Sequence, residues 1–378
     1  MESPSLREPV SNMSWRSNGQ QIEYGGLELR PFSFCFGWSY LLSLPFGSLS
    51  CFTTNECRRW NYEFFVVQHI MSGIAYLAFL FLHTRDLFTS WLWLWATVGI
   101  YAASVALRVI GQARWSTGLS KATVQVLVNN ALAVYVERPT KCRWRAGAHV
   151  FIRFVELSPY QSHPFVIASI PGDGQLVFII SKKNGITRRL YNKAEERKDM
   201  EWKTRVLIDG PYGGPLRDPA AFDTVVLFSG GVGAMFTFPI MSDIIFRMQN
   251  EGKVHCNNIV FVWTIRSENQ MKWLKNEILR FASANETSVY VAVYVTDPNF
   301  SDGNVDILPP NVTVHYQRPK LGEILERALE RNQGSMYVIG CGPAPLIARA
   351  SNETARLQKE VIAGNASGEI CLYMETFG

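Results

Sequence analysis

The sequence predicts membrane helices followed by a small antiparallel β-barrel and then a doubly wound α/β domain. Three observations predict it. Long uncharged runs are concentrated before residue 112; short strand-like runs separated by Gly, Pro and Asn turns fill residues 118–216; and strand-like runs alternate with helix-like ones over 222–378. Composition agrees: 47% of the 378 residues are apolar, 13% are aromatic and only 18% are charged, which is low for a wholly soluble chain.

Residues 1–31 are a polar tail without the basic start and apolar core of a cleavable signal peptide. The membrane region is 32–112. Within it, "FFVVQHIMSGIAYLAFLFL" has no charged residue and gives a span at about 64–83. "WLWLWATVGIYAASVALRVI", 91–110, carries only Arg108, near its end. Each is long enough to cross a hydrocarbon core of roughly 30 Å. Trp91, Trp93 and Trp95 gather at one end of the second span, where an interfacial aromatic belt lies. The stretch 32–52 is also uncharged, but Gly37, Pro45 and Gly47 interrupt it, so it is a candidate partial span. Arg58 and Arg59 precede the first strong span, and Arg108, Arg114 and Lys121 follow the second. The positive-inside rule therefore puts everything after 112 in the cytoplasm, beneath the plasma membrane or an internal one. Two buried helices of a soluble protein are the alternative.

His69 and His83 lie 14 residues apart on the first span, which is about 21 Å of helical rise and nearly a whole number of turns. Both imidazoles project from one face, and the pair reads either as polar core residues or as two stacked metal-ligand positions, one for each of two haems. One helix supplies one axial ligand per iron, and the remaining histidines, 149, 163, 255 and 315, all fall after the membrane region.

The barrel is read from "ATVQVLV" (122–128), "ALAVYVE" (131–137), "HVFIRFV" (149–155), "LVFIIS" (176–181) and "TRVLID" (204–209). From 222, the strands "DTVVLFSGG", "NIVFVWTIR", "SVYVAVYV" and "SMYVIGCGP" alternate with helical "MFTFPIMSDIIFRMQ", "ENQMKWLKNEILRFA", "GEILERALE" and "PLIARASNETARLQKE". This is the pattern of a mainly parallel sheet covered on both faces.

Several function classes recede. The net charge of +5 is modest and the basic residues are dispersed, so nucleic acid is not an expected partner. Seven cysteines at 35, 51, 57, 142, 256, 341 and 371 form no CxxC pair, which argues against a zinc site or a disulfide framework and for a reducing compartment. The sequons at Asn285 and Asn311 are then coincidental.

Glycines 230, 231 and 233 follow a strand and precede a helix in "LFSGGVGAMFTFP", an arrangement that lets backbone N–H groups approach a pyrophosphate. "YVIGCGPAPLI" repeats it with Gly340, Cys341, Gly342 and Pro343, at the strand edge where such sheets bind ligands; an inert buried cysteine is the bland reading of Cys341. Arg266 in "WTIRS" and Arg318 in "QRPKL" fall at or beyond strand ends, as phosphate forks or as solvated surface residues. "HPFVIAS", 163–169, reads by itself as an edge strand, with Pro164 opening it, Phe165 and Ile167 inward and His163 capping a turn.

The order "RRWNYEFFVVQHI…H", "HPFVIAS", "KKNGITRRL", "DGPYGG", "SGGVGAMFTFP", "WTIRS", "QRPK", "GCGP" and terminal "METFG" resembles the fungal ferric reductase and NADPH oxidase family, from about Trp38 to the end. The resemblance implies a ferredoxin–NADP reductase-like cytoplasmic module: an FAD-binding barrel over 118–216 and an NADP-binding α/β domain over 222–378. It places His163, Pro164, Phe165 and Val166 along the flavin ring with Ser169 close by, and Gly185 and Thr187 at the FAD pyrophosphate. "DGPYGG", with Gly210, Pro211 and Gly213, lies where the barrel hands over to the sheet. Gly230, Gly231, Gly233, Gly340, Cys341, Gly342 and Pro343 face NADPH, and Arg266 and Arg318 its adenosine phosphate. Phe377 is the C-terminal aromatic near flavin and nicotinamide, and Cys341 and Phe377 are the residues nearest the chemistry.

The implied activity is NADPH-dependent reduction of a ferric or cupric chelate through FAD. Haem b would be held by His69 and His83 only if helices of a second chain complete the ligand set, since the family's earlier membrane helices are not in this sequence, which reads as N-terminally shortened. A haem-free, diaphorase-like reductase, a superoxide-forming oxidase and a catalytically weak membrane partner are the competing readings. Two further departures bear on them. Val166 replaces a hydroxylated residue, and Met235 stands at a helix start expected to face the nicotinamide.

Overall fold

The computed structural model describes residues 62–84, 89–115, 119–137, 143–159, 161–197, 202–250, 252, 254–284, 287–297, 308–331, 334–364 and 368–376. The tail 1–31, the candidate partial span 32–52, Asn285 and Phe377 lie outside them. The chain divides into two compact units, Met1–Val105 and Ala106–Gly378.

In the first unit, helix α1 (Tyr62–His83) is followed by α2, which begins at Ser90 and ends at Trp115. Phe81 near the end of α1 meets Trp91 and Trp95 of α2, with ring centroids 6.0 and 5.2 Å apart, so aromatic contacts join the helices at their connected ends. The windows Phe65–His83 and Trp91–Ile110 are long and apolar enough to cross a membrane, and neither contains a buried residue. Ile74, Leu92, Trp93, Ile100 and Leu107 are all exposed.

The second unit opens with six antiparallel strands: β1 (Ser120–Leu127), β2 (Ala131–Glu137), β3 (His149–Phe154), β4 (His163–Val166), β5 (Gln175–Ser181) and β6 (Trp202–Tyr212), paired in the order β4-β3-β6-β1-β2-β5. Burial alternates along β3, so Val150, Ile152 and Phe154 fill the interior while His149, Phe151 and Arg153 point out. The sheet closes just past β4. There the Ala168 amide bonds the Val177 carbonyl at 2.8 Å, and the Ser169 hydroxyl donates to the Gln175 carbonyl and accepts from the Val177 amide. Helix α3 (Ile186–Glu195) lies against β1 and buries Ile186, Leu190 and Ala194.

Six parallel strands follow: β7 (Thr224–Gly230), β8 (Asn258–Ile265), β9 (Val289–Val295), β10 (Val312–His315), β11 (Met336–Cys341) and β12 (Ile370–Glu375), in the order β10-β9-β8-β7-β11-β12. Helices α4 (Ala234–Asn250) and α5 (Lys275–Ala284) build one core with this sheet, and α6 (Leu321–Arg331) and α7 (Ala344–Ile362) build another with buried residues such as Phe228, Val262 and Val338. β7 is buried along its whole length, as a central strand of a doubly covered sheet must be. The window Gly231–Asn250 is also apolar enough to span a membrane, but two thirds of it is buried here as a core helix.

Where one helix was expected over 268–282, the chain forms two pieces. Ser267 and Gln270 make a capping box that starts a tight 3-10 turn, Glu268–Trp273, and α5 begins only at Lys275. Asn311 is buried, and its amide donates to the carbonyls of Ala282 and Val289, so that sequon has no place for a glycan.

Candidate active site

β7 and β11 are neighbours, yet the chain leaves β7 toward β8 and leaves β11 toward β12. Their C-terminal ends therefore flank the point where strand order reverses, the place where sheets of this kind open a ligand crevice. Three positions at this point are packed too closely for a side chain. A Cβ built on Gly230 would stand 2.5 Å from Cδ of Pro343, one on Gly342 would stand 3.0 Å from Cα of Gly230, and one on Gly233 would strike the Cys341 carbonyl. Gly231 differs: its φ is +54° and the space beside it is open. Its carbonyl turns inward to accept the Trp263 indole N–H at 2.9 Å. No side chain caps the turn 231–233, which continues into α4, so amide donors and the positive end of the helix lie at this switch point.

Thr264, beside Gly230 in the sheet register, has a buried hydroxyl with no hydrogen-bond partner among the described residues. Free amides, open space at Gly231 and an unused hydroxyl fit a phosphate-bearing dinucleotide. Cys341 ends β11 between Ser229 and Glu375 and is fully buried; burial first, then the Glu375 charge, pushes its thiol well up. It is therefore a neutral thiol at physiological pH, not a thiolate. Gly340 sits one residue earlier, against the Met374 thioether.

On the barrel, Phe165 packs into the interior against Phe154, with centroids 6.3 Å apart, and Ile167 is fully buried. Pro164 pairs with Phe151, and His163 with Ile152, on an edge strand. Val166 packs, half-buried, against the core of the α/β domain, as does Val232 of the glycine turn. Ser169 is buried, and its hydroxyl is committed to closing the barrel. Gly185, with φ +69°, is the N-cap of α3 and provides no side-chain bond, so the first amides of this helix are also open. The Thr187 hydroxyl braces the same turn, accepting from the Lys183 amide at 3.0 Å. Gly210 and Pro211, joined by a cis peptide, lie in β6, and Gly213 follows it, packed against the His149 ring.

Arg266 follows β8 directly and Arg318 follows β10 by three residues; both side chains are exposed at the C-terminal edge. His69 is exposed on α1, stacked on Phe65 at 5.6 Å, and His83 is half-buried at the helix end. Among the described residues, no three His, Cys, Asp or Glu side chains are grouped to hold a metal ion. Met235 does not face the crevice: it is 3% exposed, inside the core beneath α4.

Four features of this edge were not read from the sequence. They are the Ser229–Thr237 hydroxyl pair beneath the glycine turn, the unused Thr264 hydroxyl, the Trp263 bond to Gly231, and Glu375, which accepts from the Tyr373 hydroxyl at 2.6 Å. Their common signal is position at the last residues of parallel strands.

Residues 116–216 match the model of an FAD-binding domain, and residues 222–355 match that of the ferric reductase NAD binding domain. The chain carries the FAD- and NAD-binding domains of the ferric reductase family. "Probable cell surface ferric reductase kap2" of Aspergillus oryzae is 32% identical over 259 residues, covering 64% of this chain and 34% of that protein. Ferric/cupric reductase transmembrane component 2 of Saccharomyces cerevisiae is 26% identical over 343 residues, covering 82% and 46%. Respiratory burst oxidase homolog protein B of Oryza sativa is 26% identical, covering 68% and 35%. The chain thus spans about a third to a half of the length of the curated relatives it matches. Among solved structures, a Neisseria gonorrhoeae ferredoxin NADP+ reductase with bound FAD and NADP aligns with a TM-score of 0.48 at 14% identity, over 68% of this chain and 98% of that one.

Proposed function

We propose that this chain is a membrane-anchored flavoprotein oxidoreductase that passes electrons from NADPH through FAD to a metal chelate. The observation that carries the reading is the interlocked pair of glycine turns, at Gly230 and Gly342, set at the switch point of a sheet that follows a flavin-type barrel. When bound, FAD supplies the conversion between two-electron and one-electron chemistry: one NADPH reduces two ferric ions, leaving NADP+ and one proton.

The residues bind and orient. His163, Pro164, Phe165 and Val166 form the barrel edge beside the flavin, and the open amides at Gly185 take its pyrophosphate. Amides 231–233 take the nicotinamide dinucleotide's phosphates, and Arg266 and Arg318 its adenosine end. Cys341 is fully buried in the core beside these turns, where its neutral thiol packs without supplying charge. α1 and α2 anchor the module in lipid, with the barrel and sheet on the cytoplasmic side, where the basic residues that follow the second span lie.

His69 and His83 offer one side of two stacked haem positions; α2 carries no histidine, so the opposing ligands would come from helices other than α1 and α2. That missing half also favours a second reading, a haem-free reductase with a cytoplasmic or membrane acceptor. The test is ferric-chelate reduction by the FAD-loaded chain in sealed vesicles, with NADPH on one side and chelate on either. Reduction across the bilayer supports the haem route, reduction on the NADPH side alone supports the haem-free one, and reduction on neither side leaves only a non-enzymatic partner role.

A further inference from the structure

Trp273 ends the 3-10 turn after β8, is 7% exposed, and donates its indole N–H to the Val128 carbonyl at 3.0 Å. Val128 opens the turn between β1 and β2, in which Asn129 and Asn130 are both left-handed, with φ of 59° and 55°. The flanks of that turn are built into the α/β domain: Ala131 is fully buried in its core and Leu127 packs against it. On the far side of the turn, the Asn130 carbonyl accepts the Lys182 amide at 2.7 Å, and Lys182 leads two residues later into Asn184 and the open helix start at Gly185. At the other end, Gln270 Oε1 accepts the Arg266 amide at 2.9 Å and braces the turn that carries Trp273. One bonded path therefore runs from the edge proposed for the nicotinamide dinucleotide to the segment proposed for the flavin phosphates.

We propose that Trp273 is a positioning residue for hydride transfer, holding the flavin-binding barrel in register with the nicotinamide-binding sheet through Val128. The inference rests on the FAD and NADPH reading above. Its physical basis is that transfer between two separately held rings is sensitive to misplacement, with about 1 Å costing on the order of a hundredfold in rate. A buried indole needs an acceptor wherever it sits, so the test must separate register from mere satisfaction.

Trp273→Phe keeps the ring's packing and removes the donor. In the full detergent-purified chain without FAD, it should speed amide hydrogen exchange at 128–131 and at 182–187. With FAD it should weaken flavin binding, read by flavin fluorescence, by about three- to tenfold. It should also slow anaerobic flavin reduction by NADPH about tenfold or more, with the KM for NADPH unchanged. Asn130→Gly keeps both the carbonyl and the left-handed turn and should leave all three readouts as in wild type. If Trp273→Phe does not fold, Gln270→Ala releases the same turn from its other end, and exchange at both segments must still rise. Wild-type exchange at 182–187 together with a wild-type reduction rate overturns the proposal, whatever happens to the melting temperature. A wild-type chain that takes no FAD defeats the flavin reading instead, and the exchange data still judge the latch.

Discussion

A side chain on Gly233 has nowhere to go but into the carbonyl of Cys341, so the turn after β7 and the end of β11 meet backbone to backbone. Neither partner is a flexible side-chain tip. Gly233→Ala should therefore destabilise the α/β domain by about 1–3 kcal/mol and abolish NADPH-dependent flavin reduction. Gly231→Ala meets open space and carries only the cost of its positive φ, about 1 kcal/mol. Melting curves of the two variants, side by side, check the difference.

Ser169 tests the barrel rather than the crevice. Its hydroxyl serves Gln175 and Val177 at the seam of the barrel. Ser169→Ala should cost about 1 kcal/mol because it removes the partner of the part-buried Val177 amide, and the loss in melting temperature should be the same with and without FAD. A loss seen only with FAD would mean that the hydroxyl serves the flavin.

Val166→Thr probes the opposite case. Val166 is half-buried between barrel and α/β core and brings no hydroxyl to the edge proposed for the flavin. Restoring one should tighten FAD by about three- to tenfold if it bonds the ring, read by fluorescence titration against wild type.

Cys256 sets an alkaline limit. Burial, the largest cause, pushes its thiol from 9.0 to about 12. A raised thiol keeps its proton in the fold, so its contribution is complete below 9 and is lost as pH climbs toward about 12. Melting temperatures measured from about pH 8 to about pH 11 should fall less steeply in Cys256→Ala than in wild type.

Asp218 behaves with the opposite sign. Its carboxylate is held below the ordinary 3.8, chiefly by the Arg247 guanidinium, whose two nitrogens donate to it at 2.8 Å each. The stabilisation is present above 3.8 and is lost as pH falls below it. Because the Asp218 side chain is 49% exposed, Asp218→Asn should cost no more than about 1 kcal/mol at neutral pH. The difference between variant and wild type should vanish in acid.

Strands and helices with clear periodicity were legible from the sequence: "ALAVYVE" is β2 residue for residue, and "NIVFVWTIR" is β8 plus one. β10 and β12 were not read. "VTVH" is only four residues long, and "ICLYME" mixes buried and exposed positions without alternation, so neither carries a periodic signal of its own. The glycine turns were legible because their chemistry is local. Trp273 and Val128, by contrast, are 145 residues apart, and nothing local to either marks the bond. Met235 shows the converse limit: it was expected at a helix start facing the nicotinamide, but helix α4 turns that position inward.

The most direct measurement is the absorption spectrum of the detergent-purified chain, supplied with FAD, before and after anaerobic NADPH. The account predicts that the flavin takes its place stoichiometrically and that its visible band bleaches on NADPH addition, faster than in Gly233→Ala. A chain that is folded by circular dichroism, yet retains no flavin or retains one that NADPH cannot bleach, would contradict it.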